Sequence, residues 1–328
     1  MRGLRLCLTP FAPDQSGAVS VLYEMGGLIV IVDAGGCAGN VCGFDEPRWR
    51  TQGSAVFSAG LRDIDAILGR DELLVEKVVR ASREMDAAFV ALVGTPVPAV
   101  LGTDFRALSR QISRRCGIPC LGIPTTGMRL YDKGAERAWL ELLRTFVDVS
   151  AEKVAGQVAA LGATPLDFGN ADGKMSQLHL MRLTHFATLP ERTQVVAPAG
   201  LAAAQWLERT CGVPYEIGDP TAADLLAKVD LSGVRRALVV HQAVRARSLA
   251  AAIEEKNPAA EVTCATWFMA PAECGDVRQL REEDDFAELV RTSQPDLIVT
   301  DAVLRPLVRD FDGTWIDDVH FAVSGRLA

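Results

Sequence analysis

A chain of 328 residues, 49% of them apolar and with a formal net charge of −8, is long enough for two or three domains with their own cores. It has no uninterrupted apolar span of about 20 residues, which argues against a membrane helix. Its dispersed negative charge argues against a nucleic-acid partner.

The first stretch, MRGLRLCLTPFAPDQSGA, lacks the long apolar run of a secretory signal, so the eight cysteines are expected in a reducing cytoplasmic setting. Short apolar runs then alternate with helical patterns. The runs are GLIVIVD (27–33), AAFVALVG (87–94), IPCLGIP (118–124), TQVVAP (193–198), RALVVH (236–241), VTCATWF (262–268) and DLIVTD (296–301). Their lack of strict alternation predicts parallel strands covered on both faces. Helical periodicity is read at 71–85, 105–117, 200–212 and 282–293, and two of these segments end in Cys-Gly, with the glycine as C-cap. The stretch 131–162 is expected to be a helix bridging two domains. The pattern predicts an α/β protein with a first domain over 1–150, a second over 151–230 and a third over 231–328.

In open parallel sheets, ligands bind at the carboxyl ends of strands. There the segment IVIVDAGGCAGNVCGFDEPRW (29–49) places Gly35, Gly36, Gly39 and Gly43 around Cys37 and Cys42. Glycines let a backbone bend and approach a ligand. The two thiols are either small residues in a tight turn or soft ligands of a metal group. No Cys-x-x-Cys pair occurs, so a zinc-ribbon or thioredoxin site has no support. Neither GxGxxG nor GxxxxGK[ST] occurs, so no dinucleotide fingerprint or built-in ATPase is indicated.

GLIVIVDAGGCAGN resembles the glycine–cysteine turn of the nitrogenase component 1 type oxidoreductases. That family includes the nitrogenase molybdenum–iron protein, the dark-operative protochlorophyllide and chlorophyllide reductases and a nickel-porphinoid precursor reductase. FVALVGTPVPAVLGTDFRALSRQI (89–112), GIPCLGIPTTGM (117–128), LGATPLDFG (161–169), GLAAAQWLERTCGVPYEIGDP (200–220), LIVTDAVLRPL and VHFAVSGRLA are similar to successive family segments in the same order. The resemblance implies three Rossmann-like parallel-sheet domains. It also implies low-potential electron transfer through an iron–sulfur cluster to a small substrate in the cleft between domains. The electron donor would be a separate ATP-dependent iron–sulfur reductase.

The chain departs from the family pattern at its ligands. Only Cys37 matches a family cluster cysteine: Ala12 and Pro96 stand where two others are expected, Cys42 has no counterpart, and TQVVAPAG offers no cysteine to anchor a nitrogenase-type cofactor. Family chains pair through their first domains. Two copies, each supplying Cys37 and Cys42, would therefore complete the four thiolates of a [4Fe–4S] cluster. A heteromer with a related chain and a site without any cluster remain the other readings. A non-catalytic protein that binds or assembles a metal cofactor or ligand on the same fold is the alternative function.

FDEPRW (44–49) reads either as a solvated loop with one anchoring aromatic or as an acidic, aromatic rim that meets a reductase or covers the cluster. Arg62 is expected to pair with Asp63 or Asp65. His241, ending a strand, and His320, one residue out of register with a cofactor-binding family histidine, are candidate cleft positions. His179 and His185 are assigned surface or packing roles. Cys116, Cys120, Cys211 and Cys264 are assigned to packing, and the loop-borne Cys274 to a reactive position.

Overall fold

The computed structural model describes residues 5–7, 11–51, 54–62, 64, 65, 69, 71–164, 166, 179, 180 and 188–327. His185 and Asp63 lie outside the described residues, as does most of 161–169 beyond Thr164. The chain divides into two compact units. One is built mainly on Ala12–Glu152, the other mainly on Lys153–Met181 and Pro190–Ala328 with Met1–Phe11. All strand pairings described are parallel.

The unit around Ala12–Glu152 holds one sheet, in the order β2-β1-β3-β4, made of β1 Gly27–Ile31, β2 Ala55–Ser58, β3 Phe89–Val93 and β4 Cys120–Ile123. Every residue of β1 and β3 is buried, which explains their unbroken apolar sequences. Its helices are α1 Asp14–Leu22, α2 Gly36–Asn40, α3 Asp71–Glu84, α4 Pro96–Leu101, α5 Phe105–Cys116 and α6 Tyr131–Phe146. Leu74, Val75, Val78 and Val79 of α3 and Leu108 and Ile112 of α5 recur at helical spacing and pack on Leu28, Val30, Val90 and Leu92. α1 is buried along its whole length.

The second unit holds two sheets. One runs β6-β5-β7-β8, from β5 Lys153–Leu161, β6 His179–Leu180, β7 Leu189–Val195 and β8 Tyr215–Ile217. The other runs β11-β10-β9-β12-β13, from β9 Arg236–Val240, β10 Glu261–Thr266, β11 Arg278–Gln279, β12 Leu297–Thr300 and β13 Thr314–Asp317. The helices here are α7 Leu201–Cys211, α8 Ala222–Leu225, α9 Ala243–Lys256, α10 Glu283–Ser293 and α11 Phe321–Ser324. No described helix is long and apolar enough to cross a membrane.

All seven predicted strands are present, as are the helices expected at 71–85, 105–117, 200–212 and 282–293. Gly117 (φ 75°) and Gly212 (φ 63°) cap the two Cys-Gly helices in the left-handed conformation. The expected helix over 131–162 is corrected: α6 stops at Phe146 and the remainder is β5. Asp148 ends the helical path, because its carboxylate accepts from the Ser150 amide at 2.9 Å and from the Ser150 hydroxyl at 2.6 Å. Gly156, at φ 76°, then excludes helix from the segment that follows.

Candidate functional site

β1 delivers Asp33 to the carboxyl edge of the first sheet, and the chain then turns at Gly35, whose φ of 114° only glycine adopts readily. Cys37 lies in α2, and Cys42 in the single π-helical turn Val41–Asp45 that continues it. Both thiols are half-buried. A Cβ at Gly36, Gly39 or Gly43 would meet nothing within 4 Å, so these glycines leave open space beside the cysteines. Only Gly35 is required by the bend.

Asp33 is 1% exposed. Its Oδ2 accepts from the Ala38 amide at 2.8 Å, and its Oδ1 from the Ser58 hydroxyl at 2.6 Å. Burial and then the Asp33 charge push the Cys37 thiol up, and the Thr95 side chain lies beside it. Burial, Glu46 and Asp33 push the Cys42 thiol up. Thr95 is itself fixed by donating to the Val32 carbonyl at 2.7 Å.

The turn is fastened to α1 from behind. Ser16 donates to Asp45 at 2.6 Å. Arg48 forks onto Glu46, Nε to Oε1 and Nη2 to Oε2 both at 2.7 Å, and Nη2 also donates to the Ser20 carbonyl at 2.8 Å. The guanidinium carbon lies 4.7 Å from the centre of the Tyr23 ring. This corrects the reading of 44–49 as a solvated loop anchored by its aromatic. Glu46 and Arg48 are buried and do the anchoring, whereas Trp49 is 41% exposed. The physical reason is that a charged pair satisfied on both sides can be buried. Phe44, Trp49, Ile64, Val97, Val100, Leu101 and Met128 are all exposed apolar residues of this unit, in segments that follow the carboxyl ends of its strands. The Arg62 amide, not its side chain, bonds Asp65, at 3.2 Å.

At the carboxyl edge of the third sheet His241 follows β9. Its Nδ1 accepts from the Gln242 amide at 2.8 Å and its Nε2 lies 3.1 Å from the Val319 carbonyl. Nδ1 therefore carries no proton and Nε2–H donates, so backbone groups occupy both ring nitrogens. Burial, then Arg245, lowers its pKa to about 3. The His320 ring stacks on it at 4.3 Å, with Phe268 at 4.6 Å. Burial and the neighbouring His241 hold His320 well below the ordinary histidine range.

Arg245 reaches Asp318 through Nε at 2.8 Å and Nη2 at 2.7 Å, and Asp219 through Nη1 at 2.6 Å. Burial opposes its charge, and the two carboxylates outweigh burial and raise its pKa. Asp301 fixes the segment that bears His320, accepting from the His320 amide at 2.9 Å and the Ser324 hydroxyl at 2.6 Å. Sequence reasoning missed Asp33, Arg245 and Asp301. Asp33 and Asp301 were visible only as the polar residue ending an apolar run. Cys274, expected to be reactive, is 5% exposed against Ala243 and Val244, and burial raises its pKa to about 11. Cys264 is packed in the core as expected.

Among the described residues no three histidine, cysteine or acidic side chains converge in a way that could hold a metal ion. The structure brings Cys37 and Cys42 onto one turn beside Asp33, and His241 and His320 into one stack.

No curated protein matches the chain. The solved structure "Nitrogenase Cp1 at pH 6.5" is similar in fold, with a TM-score of 0.72 and 13% identity over 100% of this chain and 89% of that one. "Nitrogenase Cp1 at pH 5" is similar at a TM-score of 0.66 and 13% identity, over 96% and 84% of the two chains. The family model described as nitrogenase component 1 type oxidoreductase matches residues 14–225. With most of its length inside that match, from α1 through the cysteine turn to α8, the chain belongs to the nitrogenase component 1 type oxidoreductase family.

Proposed function

We propose that this protein is the catalytic component of a nitrogenase-like reductase, and that Cys37 and Cys42 hold one half of an iron–sulfur cluster. The observation that carries this reading is the pair of half-buried thiols on a turn that is fastened to α1 from behind and open in front. Two soft donors beside unfilled space fit the group, and their number does not satisfy a [4Fe–4S] cluster, which takes four thiolates. The remaining two are assigned to the same cysteines of a second copy, or to those of a related chain in a heteromer. The exposed apolar residues that follow the same strand ends give such a partner a surface to cover.

When bound, the cluster would supply one-electron chemistry at low potential. The protein's own part is to hold the thiolates rigidly through Asp45 and Arg48 and to keep them together on one turn. Because burial and nearby carboxylates raise both thiols, metal loading must displace their protons. The chain has no phosphate-binding motif, so electrons would come from a separate ATP-dependent iron–sulfur reductase, and the acceptor would be a small substrate.

A second reading, a non-catalytic protein that binds or assembles a metal cofactor or ligand, draws on one observation. His241 is fully committed to backbone partners and offers a substrate no free nitrogen. Anaerobic reconstitution with iron and sulfide, followed by metal analysis, EPR and sedimentation, tests both. A cluster-bearing dimer that is reduced when a cognate iron–sulfur ATPase and nucleotide are added supports the enzyme. A monomer that retains a full cluster overturns the shared site.

A further inference from the structure

Asp33 stands at the end of a buried strand, is almost completely enclosed, and forms no ion pair with any cation among the described residues. Its two oxygens divide their work. Oδ2 takes the Ala38 amide, next to Cys37, where Gly35 at the start of α2 offers no capping side chain. Oδ1 takes the Ser58 hydroxyl from the end of the neighbouring strand. A carboxylate in this position ties the cysteine turn to β2 and sets a fixed negative charge close to both thiols.

We propose, resting on the iron–sulfur reading above, that Asp33 is a positioning residue with an electrostatic role: it orients the Cys37 turn, and its uncompensated charge lowers the reduction potential of the metal group held there. Reduction adds one negative charge to that group. A fixed negative charge close by, on a carboxylate that is itself only 1% exposed, disfavours the added electron more than the same charge in bulk solvent would. Net charge, hydrogen bonding and exposure are the factors by which proteins set cluster potentials. The fastening by Arg48 does not cancel this charge, because its guanidinium is spent on Glu46 and the Ser20 carbonyl.

Capping alone and charge can be separated. In Asp33→Asn the side-chain oxygen can still accept from the Ala38 amide, while the amide nitrogen donates to Ser58, whose hydroxyl turns to accept. The shape and both hydrogen bonds persist and the charge is gone. Ser58→Ala keeps the charge and removes one of the two hydrogen bonds to Asp33, together with the one the Ser58 hydroxyl accepts from the Gly60 amide.

The experiment reconstitutes full-length wild type, Asp33→Asn and Ser58→Ala anaerobically with iron and sulfide. It measures iron per chain and an EPR-monitored redox titration for each. The expected result is similar iron in all three, with the midpoint potential of Asp33→Asn displaced to more positive values and that of Ser58→Ala displaced less. Equal potentials in iron-loaded wild type and Asp33→Asn overturn the electrostatic role. Loss of iron in Asp33→Asn where wild type loads it makes Asp33 a cap only and overturns it too. A wild type that takes up no iron overturns the metal reading itself, and this inference with it.

Discussion

Arg48 and Glu46 are joined by two parallel hydrogen bonds of 2.7 Å in a buried position directly behind the cysteine turn. Removing one partner of such a pair leaves an uncompensated buried charge, which costs about 3–5 kcal/mol. Arg48→Ala is therefore expected to lower stability by that order, measured as a fall in the urea midpoint followed by a probe in the Ala12–Glu152 unit. Replacing both partners with apolar residues of similar volume should recover much of the loss. A single variant as stable as the wild type would show that the pair does not fasten the turn.

α1 and α6 cross with their backbones touching. A Cβ added at Gly134 would lie 1.6 Å from the Asp14 carbonyl oxygen, and one at Gly17 would lie 1.9 Å from that of Tyr131. Neither obstacle is a flexible side chain, so the helices themselves must separate. Gly134→Ala and Gly17→Ala are each expected to cost about 3 kcal/mol, the upper end of overpacking penalties. Chemical denaturation of the two variants checks this, and wild-type stability in either would refute the close crossing.

The stacked histidines make the second unit acid-sensitive. Folding holds His241 at about 3 and His320 well below the usual value, against 6.5 for an ordinary histidine. Below about pH 6.5 the unfolded chain binds protons that the folded chain refuses, so stability is full above that pH and falls as the solution is acidified toward 3. The charged groups facing the pair are Arg245, which disfavours protonation, and Asp318, whose Oδ2 is 3.7 Å from His241 Nε2. Each histidine should contribute a slope of up to about 1.4 kcal/mol per pH unit. Hydrogen exchange in β9 and β12 at stepped pH values reads this locally. His320→Gln should show a shallower acid dependence than wild type, and an equal dependence would contradict the assignment.

Cys37→Ser and Cys42→Ser are each expected to abolish iron uptake with little change in fold, because serine is a harder, weaker ligand and both positions are half-buried. Cys264→Ala should do the reverse, leaving iron content unchanged while costing about 1 kcal/mol, since this thiol is 4% exposed within the core. Metal analysis and thermal melts on the same preparations separate the two classes. Full iron in both turn variants would refute ligation.

The amino-acid order by itself determined the central strands of each sheet. β1 and β3 are buried at every position and apolar throughout, and β9 and β12 are apolar apart from Arg236 at the exposed start of β9 and Thr300 at the end of β12, so burial is written directly into them. It also determined the glycine caps at Gly117 and Gly212 and the cysteine turn at Gly35, because these depend on local backbone geometry. Edge strands such as β2, β8, β11 and β13 are short and partly exposed, and their own residues do not demand a strand; pairing with a neighbour supplies it. The sequence of β5 reads as a continuation of helix because its alanines and valines fit either form until its partner strands are in place. Only the tertiary structure decided that Arg48 is buried with Glu46, that Arg245 joins Asp219 to Asp318, and that Cys274 is enclosed. Whether a charge or a thiol lies in water or in the core depends on which distant segments fold over it, and no local pattern of residues carries that information.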